Sequence, residues 1–226
     1  MREPARVLAA ALMVMASCGM TAPSHAAEPV EVEMPPGATQ CSFSAWMSFR
    51  EEAPVPVRAG PSGTSAILGY LPIADDGDED PINVEFDVVE ARPGWLKIEH
   101  QTLESQDDDD RAAPSRPLFQ GAGWIPAGAA QVGVQSALGY ARPDPDSPLV
   151  IDLGDDWLTE VAYVEAIRAC SGAWLLVDYA PYSERGSSGV LDAPPAGKQS
   201  AGTAWFRGVC SNQKTTCDMA SVDRRP

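Results

Sequence analysis

The chain has 226 residues and carries 16 Lys and Arg against 32 Asp and Glu, a formal charge of -16 at pH 7. A surface this negative repels phosphate backbones and anionic lipid, because binding either requires Lys and Arg to displace condensed counterions, so nucleic acid is excluded as an expected partner. The length accommodates one large domain or two small ones.

Residues 1–26 predict a signal peptide. Arg2 and Arg6 form the positive end, Val7 to Ala16 a short apolar stretch, and Ser24-His25-Ala26 a small-x-small cleavage site. The apolar run falls short of the roughly 20 residues that a transmembrane helix needs, and no later run is longer, so no transmembrane helix is expected. The protein is therefore expected to be periplasmic or secreted. Met15-Ala16-Ser17-Cys18 offers an alternative, a lipoprotein anchored through Cys18. Export leaves Cys41, Cys170, Cys210 and Cys217, an even number in an oxidising compartment, which predicts two disulfides. Three pairings are open in principle. Cys210 and Cys217 flank the polar turn SNQKTT and are expected to pair, which leaves Cys41 for Cys170. Zinc is the rival, but these spacings lack the paired close ligands of a zinc ribbon.

Residues 27–39 are Pro-rich, lack periodicity, and read as an extended leader that adds nothing to a core. A first domain is placed at 40–133. It runs through Phe43 to Phe49, then VPVRAGPS at 55–62, where Pro56 and Pro61 forbid helix and Gly60-Pro61 marks a turn. AILGYLP follows, and after an acidic loop comes VEFDVVEARPGWLKIEH, Val84 to His100, a hairpin turning at Pro93-Gly94 just before Trp95. The domain closes on GAGWIPAGAAQV at 121–132. Every apolar segment is of strand length and bounded by Gly, Pro or Asp, so the class is all-β, with a small barrel favoured over a sandwich.

A second domain at 134–218 repeats the pattern. VAYVEAIRACSGAWLLVDY, Val161 to Tyr179, is again a hairpin turning just before a Trp, here Trp174. Pro61 and Pro143 lie 82 residues apart, Trp95 and Trp174 79 apart, and Trp124 and Trp205 81 apart. Three anchors at nearly one offset indicate a duplicated domain, since the period exceeds that of solenoid repeats. Residues 219–226 are expected to be a disordered tail.

The segments 57–62, 68–72, 94–98 and 123–125 (VRAGPS, LGYLP, GWLKI and GWI) resemble in order the bacterial SH3-like family. The likeness covers most of the first domain. In the second copy the Arg-Gly-Pro-Ser turn has become Ala141-Arg142-Pro143-Asp144, so any contact the family makes through that turn is not carried over. The resemblance implies two small tandem barrels and a shallow aromatic groove that holds peptide or cell-wall fragments. Trp95, Trp174 and Tyr70 are the candidate binding residues, whereas Trp124 and Trp205 are expected in the cores, since barrels of this size need large side chains to fill them.

Other motifs do not develop. In the acidic loop DDGDED at 75–80, Pro81 falls where a calcium-binding EF-hand loop needs Gly. The still more polar QDDDDRAAPS at 106–115 is expected to be disordered. Beyond the signal, His100 is the sole histidine, so a two-His metal site cannot form and a Ser-His pair has one candidate base. Ser211 and Lys214 spell S-x-x-K, yet no S-D-N or K-T-G follows. No metal, cofactor or catalytic centre is expected. The expected function is a non-catalytic binding or scaffolding module of the cell envelope, its partner a cell-wall fragment or an envelope protein. The alternative is a regulatory subunit or inhibitor of a separate envelope enzyme.

Overall fold

The computed structural model describes residues 30–48, 50–73, 83–104, 118–182, 201–210 and 222–223. The signal segment, both acidic loops and the S-x-x-K motif lie outside them. The described residues are mainly strand, as expected of an all-β chain, and no helix among them is long and apolar enough to cross a membrane.

The first half contributes β1 (Thr39–Met47), β2 (Val55–Arg58), β3 (Ile67–Leu71), β4 (Asn83–Arg92), β5 (Trp95–Glu104), β6 (Gly123–Pro126) and, after a 3-10 turn at Ala127–Ala129, β7 (Ala130–Gln131). The second contributes β9 (Leu138–Tyr140), β10 (Leu149–Asp152), a single helical turn α1 (Leu158–Val161), β11 (Ala162–Ser171), β12 (Trp174–Pro181) and β13 (Gly202–Phe206). A small ribbon pairs β8 (Gly133–Val134) with β14 (Val209–Cys210). The expected boundary between residues 133 and 134 thus falls inside a strand.

One strand order occurs twice. The larger sheet runs β3-β2-β6-β5-β4 before adding β1 and β7, and the smaller runs β10-β9-β13-β12-β11. The hairpins agree residue by residue near their turns. Arg92 pairs with Trp95 and Val88 with Ile98; 79 residues on, Ser171 pairs with Trp174 and Ile167 with Val177. Each first strand carries one extra residue at the same place, Val89 and Arg168, a bulge that bends the ribbon and increases its twist. The turns reach this common register differently. Gly94 has φ 78 after a proline, while Gly172 has φ 58 and comes first in its turn; each supplies the positive φ that a two-residue loop demands.

Barrels are the expectation, but among the described residues hydrogen bonding closes neither sheet. β3 and β7 are the edges of one, β10 and β11 of the other. The sheets pack on one continuous core instead. Phe86, Val88, Leu96 and Ile98 of the first half join Val164, Ile167, Leu175 and Val177 of the second in it. The Cys41–Cys170 disulfide, as expected, clips β1 to β11 across this junction, with 5.3 Å between the two Cα atoms. Cys210 is also disulfide-bonded, and its expected partner Cys217 lies outside the described residues.

Two terminal segments differ from expectation. The leader, expected to stay off the core, lays Val32 against a second apolar cluster of Tyr140, Ala169, Leu176 and Trp205. Glu33 donates its N–H to Ala141 O at 2.8 Å and accepts the Trp205 indole N–H at 3.0 Å. Within the tail, expected to be disordered, Val222 and Asp223 are placed, and the Asp223 side chain is 2% exposed. In each case backbone groups or a carboxylate find partners on the second half, which offsets the entropy of ordering the chain.

Candidate ligand-binding site

The three candidate binding residues fall in three places. Tyr70 lies on the edge strand β3, 38% exposed, between the exposed Leu68 and the buried Leu71. Trp95 opens β5, half-buried, opposite Arg92 and Pro126. Two strands stand between β3 and β5, a separation of roughly 14 Å at ordinary strand spacing. Trp174 is on the other sheet. The structure therefore does not gather them into one groove; Trp174 stands in a polar-aromatic cluster beside a cavity between the halves.

That cluster grows from local chemistry. Gly172 and Ala173 turn the β11–β12 hairpin so that Trp174 begins β12 half-buried. Tyr140 at the end of β9 meets it edge-on, with ring centroids 5.3 Å apart. Arg207 follows β13 directly and lays its guanidinium over the Trp174 ring, 5.0 Å from the centroid, where the negative ring face attracts a cation. Burial raises the Tyr140 phenol above its ordinary pKa of 10.0, and nearby Arg207 opposes that shift, so the phenol stays neutral at physiological pH.

Arg207 also lines a cavity of about 530 Å³ between the two halves. Ser42, Phe43 and Ser44 from β1 form one wall, and Gly172 and Leu175 of the second hairpin face them. The Cys41–Cys170 bond sits at the root of both walls, one residue before Ser42 and two before Gly172, and so fixes the distance between them. Nε of Arg207 is buried and has no hydrogen-bond partner among the described residues. A buried N–H left unmade costs about 1–3 kcal/mol, so the geometry favours a ligand that brings an acceptor.

His100 is linked to the β1 wall of this cavity through Asp87 and Ser44. Its Nδ1 is 2.9 Å from Asp87 Oδ2, and Ser44 Oγ donates to Asp87 Oδ1 at 2.7 Å. The Asp87 pKa is lowered from its ordinary 3.8 by the Ser44 hydrogen bond first, with His100 adding to the effect and burial opposing it. The hydroxyl points at the carboxylate, not at the imidazole, so this arrangement does not activate Ser44 as a nucleophile. His100 has φ 52 and occupies a bulge facing Phe86; at the equivalent place in the second hairpin the extra residue is Glu165, on the first strand instead.

Sequence reasoning marked Trp174 and missed Arg207, Tyr140 and the carboxylate of Asp223. The one available signal was a cation placed directly after the Trp205-Phe206 strand of an acidic chain. No family model, curated protein or solved structure matches the chain.

Proposed function

We propose that this protein is an exported, non-catalytic binding module of the cell envelope, built from two SH3-like units and holding a cell-wall fragment or an envelope peptide beside Trp174. The disulfide across the halves supports an oxidising compartment. The repeated strand order supports two related units. The observation that carries the reading is the cavity of about 530 Å³ lined by Arg207, whose guanidinium rests on Trp174, since an apolar wall with one convergent cation is how a small polar ligand is oriented.

Retention on purified sacculi tests it. The mature chain is expected to be retained, and Trp174→Ala to lower retention about tenfold, the loss of one stacked anchor of about 1.4 kcal/mol. Trp95→Ala, lying away from the cavity, should leave retention unchanged. A wild-type chain that washes through overturns the cell-wall form of the reading; if an envelope protein co-purifies with it, a regulatory subunit is the better description.

A further inference from the structure

Asp223 is bound as a ligand is bound. Its carboxylate accepts the Ala137 N–H at 2.6 Å, each of its oxygens lies 3.0 Å from Ser136 Oγ, and Arg207 Nη2 stands 3.9 Å away. Burying an ionised carboxylate without such partners costs several kcal/mol, so the donors are what make the position tenable. They are held by the fold and not by the tail. Ala137 O accepts the Leu153 N–H at 2.9 Å and Gln135 donates its N–H to Gly208 O at 2.8 Å, which pins the 135–137 segment on both sides. Arg207 is steadied by Trp174.

The residue before it completes the likeness. Val222 lines the cavity with its side chain and accepts a hydrogen bond from Arg207 Nη2 on its carbonyl at 3.2 Å. Val222–Asp223 thus presents three features to the second half: an apolar side chain, a carbonyl on the guanidinium, and a carboxylate in a cradle of donors. A chain of net charge -16 repels anions at long range, so an anionic guest needs a local cation of this kind.

We propose that Ser136, the Ala137 N–H and Arg207 form a receptor for a peptide carboxylate preceded by an apolar residue, and that Val222–Asp223 is its resident occupant. The proposal rests on the binding-module reading and names its ligand class. An external peptide binds by displacing the tail, so its apparent affinity is reduced by the fraction of molecules in which the site is free.

The test is a titration of the isotope-labelled full chain followed at the Ala137 amide resonance. The probes are N-acetyl-Val-Asp-amide, its Asn counterpart, and N-acetyl-dialanine as the free acid in the D,D and L,L forms. In Asp223→Ala the acidic probes should shift the Ala137 amide saturably and bind at least about tenfold tighter than to the wild type, since the site is then always vacant. The Asn probe should bind at least about tenfold more weakly than its Asp parent, as expected for losing a charge-assisted hydrogen bond. Arg207→Gln should abolish the response. Preference for the D,D acid points to a cell-wall stem peptide, and for the L,L acid to a protein C-terminus; either supports the receptor. If Asp223→Ala does not fold, the wild-type chain must still show the shift at higher probe concentration. A folded chain whose Ala137 amide does not respond to any acid overturns the receptor. Sacculus retention of that same protein shows whether the module reading falls with it.

Discussion

The two halves share a strand order and differ in one cross-strand row. In the first, Arg58, Trp124, Lys97 and Glu90 follow one another across β2, β6, β5 and β4. The equivalent row in the second is Tyr140, Trp205, Leu176 and Ala169 across β9, β13, β12 and β11. The first row is charged around its tryptophan, which is buried, with Arg92 stacked 5.4 Å over the Trp124 ring and Arg58, Lys97 and Glu90 half-buried beside it. The second is apolar and is covered by Val32 and the Glu33 backbone of the leader. The same strand order therefore supports a charged, half-buried face in one half and a second apolar cluster in the other. A repeated strand order keeps its register through turns and bulges, and is free to exchange the chemistry of the face its main core does not use.

Breaking the link between the halves should have the largest effect. Replacing Cys41 and Cys170 together by serine opens a loop of 129 residues and should cost about 4–5 kcal/mol on the chain-entropy relation, read by denaturant unfolding. A midpoint that barely moves would overturn that estimate, and a split into two transitions would show that the halves are energetically independent. Next comes an exchange of row residues. Leu176→Lys places in the second row the residue its counterpart carries, and should cost about 3 kcal/mol or more, because the ammonium is buried under the leader. Lys97→Leu, the reverse exchange on the charged, half-buried row, should cost less, about 1 kcal/mol or under. Equal costs for the two would show that the rows do not differ in burial.

The smallest effect concerns acid. Asp87 has a folded pKa below its ordinary value, so its contribution is complete above the unfolded pKa and is lost as pH falls through the folded one, a window below about pH 4. Ser44→Ala should therefore flatten the fall of stability with pH in that window, as measured by urea midpoints at several pH values. The position equivalent to Asp87 in the second hairpin is Ala166, so this particular hydrogen bond has no counterpart there.

Much of this architecture was legible from local chemistry. Alternation of apolar residues along 84–98, turn residues before Trp95 and Trp174, and a common offset near 80 residues are short-range signals, and β-structure obeys them because side chains alternate and two-residue loops demand positive φ. The Cys41–Cys170 pairing followed from the closeness of Cys210 and Cys217, which left Cys41 for Cys170. The site was legible only at Trp174. Tyr70 and Trp95 carry the same local marks, yet their strands hold them apart.

From its sequence alone, then, the protein is an all-β chain with two related hairpins and a sulfur clamp between its halves, since those features depend on neighbours within a few residues or on the short spacing that pairs Cys210 with Cys217 and leaves Cys41 for Cys170. Tertiary packing decided the rest. Whether the leader covers a row of side chains, and whether Trp174 and Asp223 meet at Arg207, depends on contacts between segments up to 172 residues apart, as the Trp205–Glu33 hydrogen bond is. No local pattern encodes such contacts, because their free energy exists only once both sheets have closed on a common core.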